Sequence, residues 1–276
     1  MNENPNRIVE KRFSYTLNQL LRRIEKRLAK AQSPKEVIRI LERYANSPEY
    51  KIWSDELALT ITTQVNKGVS KTWRQAAQKA GRGSELYDKI KNEFDPANNW
   101  RFALKVKQNA DLIKTFPLEV AKTLNEHVAE EAMRGRRSGD ILHDLIRKYP
   151  DTAKSRLNLI ARTEVSKTQT ALIQSRSQSL GLNWYIWRTS DDTRVRHSHG
   201  HMEGVLINWG NPPSPEALDP QYKGKIPGPY HAGDIYNCRC YPEPIVNLDY
   251  VSFPAKVYTG GVIKKLTRAQ FEQLAV

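Results

Sequence analysis

Cysteine is nearly absent from this chain of 276 residues: there are two, Cys238 and Cys240, with one arginine between them. A ring closed across so few atoms is strained as a disulfide. The pair is therefore not the staple of a secreted scaffold, and the chain reads as one made and kept in a reducing cytoplasm. Long apolar runs are missing as well. No stretch approaches the roughly 18 consecutive apolar residues of a spanning helix, and the opening residues, Met1 to Pro5, lack the apolar core of a signal peptide. No membrane association is expected. A Walker loop, a glycine-rich dinucleotide turn, a nucleophile elbow and a His-Glu-x-x-His pair are all absent. No helix-turn-helix with a clear recognition helix is evident either, which argues against a DNA-binding regulator.

What is present is a folded protein with an excess of positive charge. Hydrophobic residues make up 39% and charged residues 27%, enough apolar material for a core and too much for a disordered tail. The net charge of +14, from 44 basic and 30 acidic residues, creates a long-range field that attracts polyanions. The length allows one large domain or two moderate ones, and a change of texture near the middle favours two.

From Arg7 to about Gly181 the punctuation is that of helices. Ser33-Pro34-Lys35-Glu36 is a capping box with proline at the first helical position. Ser47-Pro48 repeats the start signal. A run from Ser54 is expected to stop at Gly81, another to span Asn98 to Phe116, and one from Pro117 to stop at Gly135. Ser138-Gly139-Asp140 opens a short helix that Pro150 is expected to close. The first helix, Phe13 to Ala31, places Leu17, Leu20, Leu21, Ile24 and Leu28 on one side. Arg22, Arg23, Lys26, Arg27 and Lys30 form a cationic face. That face is either simply solvated or a dedicated contact for DNA or a partner protein. Aromatic residues are not interleaved with it, so stacking on single strands is not expected.

The helix predicted over Asp151 to Leu180, closed by Gly181 as a left-handed cap, gathers Leu157, Ile160, Ala161, Val165, Thr168, Ala171 and Leu172 on one side. Glu164 falls inside that stripe. A lone buried carboxylate costs several kcal/mol, so Glu164 is expected to meet an arginine, Arg194 or Arg196. Beyond Gly181, Asn183 to Thr189 has the aromatic and β-branched texture of a strand, and the proline-rich stretch from Gly204 to Pro229 implies ordered loops. A further strand-like piece, Tyr250 to Tyr258, precedes Gly260-Gly261 and a short polar helix. The expected class is α+β, with a helical N-terminal region over 1–116, a small domain with a long helix and short antiparallel strands over 117–250, and a C-terminal extension over 251–276.

Between Thr189 and Gly204 lies a dense polar cluster with Asp191, Asp192, Arg194, Arg196, His197, His199 and His201. His231, Cys238 and Cys240 follow. Thiolates and imidazoles suit zinc, with Cys238 and Cys240 joined by His199, His231 or another of these histidines. A single Cys-x-Cys lacks the paired knuckles of common zinc folds, so the competing reading is a pair of reduced, half-buried thiols at a strand end. A metal-dependent nuclease or toxin-like enzyme centred on His199, Glu164 and Cys238/Cys240 is the catalytic alternative. Histidine, carboxylate and arginine also form structural networks, and the structural reading is preferred.

The order of these marks resembles a known family. Ala161-Arg162-Thr163-Glu164 on a long helix is followed by Trp187-x-Thr189 and Asp191-Asp-Thr-Arg194-Val195-Arg196. His199, Gly204 and Asn237-Cys238-Arg239-Cys240 complete the series. Over about Pro117 to Pro244 the succession is similar to that of Mu-F-like phage head morphogenesis proteins. The resemblance implies a minor head component of a tailed bacteriophage, not an enzyme, located in the head interior or at the portal vertex and in the host cytoplasm during assembly. Its implied partners are portal protein, capsid or scaffold proteins and double-stranded DNA, and its implied roles are capsid assembly and DNA packaging or ejection.

Overall fold

The computed structural model describes residues 6–79 and 100–275, and the expected helix end at Gly81 and start at Asn98 lie outside them. Contacts divide the chain into two compact units: one comprising 9–63 and 104–161, the other 1–8, 64–103 and 162–276. The chain follows the order α1 (Arg7–Leu28), α2 (Pro34–Asn46), α3 (Pro48–Lys79), α4 (Trp100–Met133), α5 (Ser138–Ser179), β1 (Trp184–Arg188), α6 (His197–Gly200), β2 (Leu206–Asn208), β3 (Tyr241–Pro244), β4 (Ala255–Thr259), β5 (Val262–Leu266) and α7 (Arg268–Ala275). The class is α+β, as the sequence leads one to expect. Among the described residues no helix is long and apolar enough to cross a membrane.

The first unit is a helical assembly whose starts and stops follow local chemistry. The Ser33 hydroxyl accepts from the Glu36 backbone N–H at 3.2 Å, while the Glu36 carboxylate accepts from the N–H of Gln32 at 2.8 Å. Ser47 caps α3 in the same way, accepting from Tyr50 N at 3.3 Å. In α1 the apolar side from Val9 to Leu28 is buried, and Arg22, Arg23, Lys26, Arg27 and Lys30 are all exposed.

Two expected helix breaks do not occur. Helix α4 runs through Pro117 and α5 through Pro150. A proline inside a helix removes the donor for the carbonyl four residues earlier, at a cost of about 3 kcal/mol. For Pro117 that carbonyl belongs to Ile113, and the Tyr50 hydroxyl donates to it at 2.5 Å. A side chain 63 positions away thus stands in for the missing N–H. Buried Ile113, Phe116 and Val120 bracket the proline. At Pro150 the bracketing residues are Leu145, Tyr149 and Ala153, each no more than 1% exposed. Tyr50→Phe is expected to strand the Ile113 carbonyl in a dry interior and to destabilise the protein by about 1–3 kcal/mol. Urea unfolding of the two proteins measures this, and equal stability would mean that the hydroxyl plays no such part.

The second unit is built on a five-stranded sheet in the order β3-β1-β2-β4-β5. Three of its four pairings are antiparallel, and the fourth, β2 with β4, is parallel through Leu206 and Val257. The chain leaves β2, pairs β3 on the far side of β1, and only then returns to lay β4 beside β2. The last hairpin turns on Gly260 and Gly261, both at positive φ (59° and 78°), the two-residue geometry that matches strand twist. Successive residues of a strand face opposite ways, so β1 has two jobs. Ile186 joins Leu206, Ile245, Val257 and Phe271 in a core on one face. Tyr185 and Trp187, both fully buried, occupy the other. Gly181 (φ 69°) ends α5 as expected, with Leu182 N–H bonded to the Ser177 carbonyl at 2.8 Å.

Candidate functional site

The polar cluster assembles on the Tyr185/Trp187 face of β1. Trp187 packs edge-on against His199, ring centroids 5.8 Å apart, and His199 rides on the one-turn helix α6. The turn from Asn237 to Cys240 approaches from the other side. Asn237 takes positive φ (58°), a conformation asparagine tolerates better than most residues. This turn is anchored to α5: Thr163 Oγ1 accepts from Asn237 N at 3.0 Å, the Arg162 guanidinium donates to Asn237 Oδ1, and Ser166 Oγ reaches the Cys240 carbonyl at 3.5 Å. Helix, histidine segment and thiol turn therefore form one packed module.

At its centre, His199 Nδ1 lies 3.5 Å from Cys238 Sγ and 3.4 Å from Cys240 Sγ. All three residues are 2% exposed. The far ring nitrogen, Nε2, is 2.8 Å from the Tyr230 hydroxyl, which in turn lies 2.7 Å from both carboxylate oxygens of Glu216. Burial, then the Glu216 contact, push the Tyr230 hydroxyl well above its ordinary range, so it stays protonated. The two thiols titrate as a pair. The hydrogen bond from Cys240 and the nearby imidazole hold Cys238 low, and the same bond raises Cys240, so the first proton leaves readily and the second does not.

The remaining sequence-predicted residues have definite places around this centre. Gly204 (φ 75°) turns the chain so that its N–H meets the Trp187 carbonyl at 2.9 Å. Glu203 accepts from the backbone N–H and hydroxyl of Thr189 at 2.6 and 2.8 Å and pairs with Arg188 at 3.1 Å. Asp191 is exposed, at positive φ (51°). Its neighbour Asp192 pairs with Arg194 at 3.0 Å and lies 3.7 Å from Arg239.

Two expectations are corrected. Glu164 does not pair with Arg194 or Arg196: Arg194 is taken by Asp192, and Arg196 donates to the Tyr236 carbonyl at 2.8 Å. Glu164 itself is half-buried on α5. His231 does not stand with the cysteines. It packs edge-on against Trp209 and Tyr185 and hydrogen-bonds the Tyr185 hydroxyl at 3.2 Å.

Among the described residues, two groups bring metal-ligating atoms within 4.8 Å of one another: His199 with Cys238 and Cys240, and His197 with His201 and Asp219. Glu164 belongs to neither. The second group has exposed histidines. His197 Nδ1 is 2.9 Å from Asp219, and this bond, partly opposed by burial, holds the Asp219 carboxyl low. Sequence reasoning missed Glu216, Asp219 and Tyr230, which sit in the proline-rich loop and carry no local pattern that announces them.

The cationic face of α1 has an unexpected neighbour in its own unit. Arg23, Lys26, Arg27 and Lys30 line a groove of about 870 Å³ together with Tyr44 and Trp53. The Arg27 guanidinium lies 4.6 Å over the Tyr44 ring. Aromatic rings absent from the basic run in sequence are thus beside it in space.

Residues 122–242 match the family model described as Phage Mu protein F like protein. A Haemophilus influenzae (strain Rd) protein bearing only the description "Uncharacterized protein" is 30% identical over 139 residues, covering 50% of this chain. The chain spans 28% of that relative's length. No solved structure matches.

Proposed function

We propose that this chain, whose residues 122–242 match the Phage Mu protein F like family model, is a member of that family and a minor head protein of a tailed bacteriophage. In this reading it associates with the portal vertex, takes part in capsid assembly and in DNA packaging or ejection, and resides in the virion head after assembly in the host cytoplasm. The observation that carries the reading is the family match, and the packed module accounts for its motif. Arg162, Thr163, Trp187, Gly204 and the Asn237–Cys240 turn hold three chain segments together, and His199 is enclosed by them. That enclosure supports a structural reading of the motif.

Portal protein is the first partner, with capsid or scaffold proteins beside it. Co-expression of the tagged chain with the portal protein of the same genome is expected to recover both in one complex. Recovery of the chain alone at micromolar concentrations would sink the portal assignment.

Non-specific binding to double-stranded DNA is the second part of the proposal, supported by the charge of +14 and the exposed Arg22, Arg23, Lys26, Arg27 and Lys30. Each phosphate neutralised releases counterions, giving a log affinity against log salt slope of about −0.9 per contact. Replacing all five with glutamine is expected to make that slope shallower by up to about 4.5. Fluorescence anisotropy on a random duplex across a salt series measures it. An unchanged slope would move DNA contact elsewhere or remove it.

A further inference from the structure

We infer that His199, Cys238 and Cys240 form a zinc site, with Tyr230 and Glu216 as the outer groups that orient its histidine. Zinc bound tetrahedrally by sulfur at about 2.3 Å and imidazole nitrogen at about 2.0–2.1 Å sets those ligand atoms about 3.6 Å apart. The His199 Nδ1 to sulfur distances are 3.5 and 3.4 Å, nearly equal and both on the same nitrogen. A simple thiol–imidazole hydrogen bond needs one sulfur, and here two converge.

The tautomer follows from the outer hydrogen bonds. The Tyr230 hydroxyl has one proton, and it lies 2.7 Å from both oxygens of the Glu216 carboxylate, which accepts it. The hydroxyl oxygen is then left to accept from His199 Nε2–H at 2.8 Å. With Nε2 protonated, Nδ1 of the neutral ring carries a lone pair, and that lone pair faces the two sulfurs. Metal-bound histidines are held in this manner, through the nitrogen that does not ligate. The backbone N–H of Cys240 donates to Cys238 Sγ at 3.3 Å, a further support for a thiolate.

Three protein ligands leave one position for a tetrahedral ion. A depression of about 20 Å³, bounded by His199, both cysteines, Ser190, Asp192 and Arg196, adjoins them and has room for one water. Binding displaces to solvent any proton that the two sulfurs still carry as both become thiolate ligands. Soft thiolates with one imidazole favour zinc over magnesium or calcium. The ion would lock α6 to the 237–240 turn, and through Thr163 and Ser166 to α5. His231, with its ring against Trp209 and Tyr185, takes no part.

The full chain, expressed with zinc in the medium and desalted, is expected to carry one zinc per chain by elemental mass spectrometry. After chelation, cobalt(II) should give sulfur-to-cobalt charge-transfer absorption and tetrahedral ligand-field bands. Cys238→Ser and Cys240→Ser should lose both signals, His231→Ala should keep them, and Tyr230→Phe should weaken affinity by about 10–100-fold. Because a cysteine variant can misfold, the cobalt spectrum of the unaltered chain decides the matter. A folded chain, by circular dichroism, with neither zinc nor a charge-transfer band overturns the inference. So does zinc retained by the Cys238→Ser/Cys240→Ser double variant, which would locate the metal at another group such as His197, His201 and Asp219.

Discussion

Gly233→Ala is expected to destabilise the sheet-bearing unit by about 3 kcal/mol or more, far beyond an ordinary surface substitution. Two costs add at this position. Gly233 holds φ at 84°, and an L side chain in that region costs about 1–2 kcal/mol. A Cβ built there would also lie 2.7 Å from the Cys240 carbonyl oxygen, 2.6 Å from Thr170 Oγ1 and 2.9 Å from Ser166 Oγ. The hydroxyls can rotate away, but the carbonyl is backbone, and overpacking a close contact costs typically about 1–3 kcal/mol. Gly228 is the control, since it has φ 91° with nothing within 4 Å of its Cβ direction. Gly228→Ala should therefore show the conformational cost alone, about 1–2 kcal/mol. Urea unfolding followed by tryptophan fluorescence distinguishes the two, and equal losses would remove the close-packing explanation.

The same loop shows where sequence reasoning reaches and where it stops. Contacts that are local in sequence were legible: the Ser33 and Ser47 caps, the apolar side of α1, the left-handed Gly181 and the Trp184–Arg188 strand all follow from spacing and backbone chemistry. The prolines misled because the compensating group is remote. Nothing near Pro117 indicates that Tyr50 will donate to the Ile113 carbonyl. Strand β5, Val-Ile-Lys-Lys-Leu, was also invisible, since it is an edge strand with mostly exposed side chains and so lacks a clear buried alternation.

At the candidate site, the residue types were legible and their partners were not. His199, Cys238, Cys240, Trp187 and Thr163 converge as their co-occurrence suggested. Pairings within the cluster depend on loop geometry. Asp192 lies two residues from Arg194 and captures it, accepting from both its backbone N–H and its guanidinium. Such an Asx-type turn forms wherever the loop permits, so a distant Glu164 has no advantage. Glu216 and Tyr230 are recognisable only in space: 14 residues and several prolines separate them, yet the Tyr230 hydroxyl donates to the Glu216 carboxylate beside His199.

Acidification should expose the place of His231. Burial depresses its pKa from 6.5 to about 4, opposed in part by a hydrogen bond to the Trp209 backbone. Its titratable contact is Tyr185, whose hydroxyl burial holds protonated. Between these two values the unfolded chain binds a proton that the folded chain refuses, so stability falls as pH falls. The contribution is complete above about pH 6.5, declines through the window from 6.5 to 4, and is gone below it. A shift of this size corresponds to about 3 kcal/mol. His231→Gln keeps a polar partner for the Tyr185 hydroxyl and removes the titration. Unfolding free energies at about pH 7 and about pH 4.5 are expected to fall by about 2–3 kcal/mol more in the parent chain than in the variant. Carboxylates common to both proteins cancel in that difference, so a parallel decline in the two would place the acid sensitivity elsewhere.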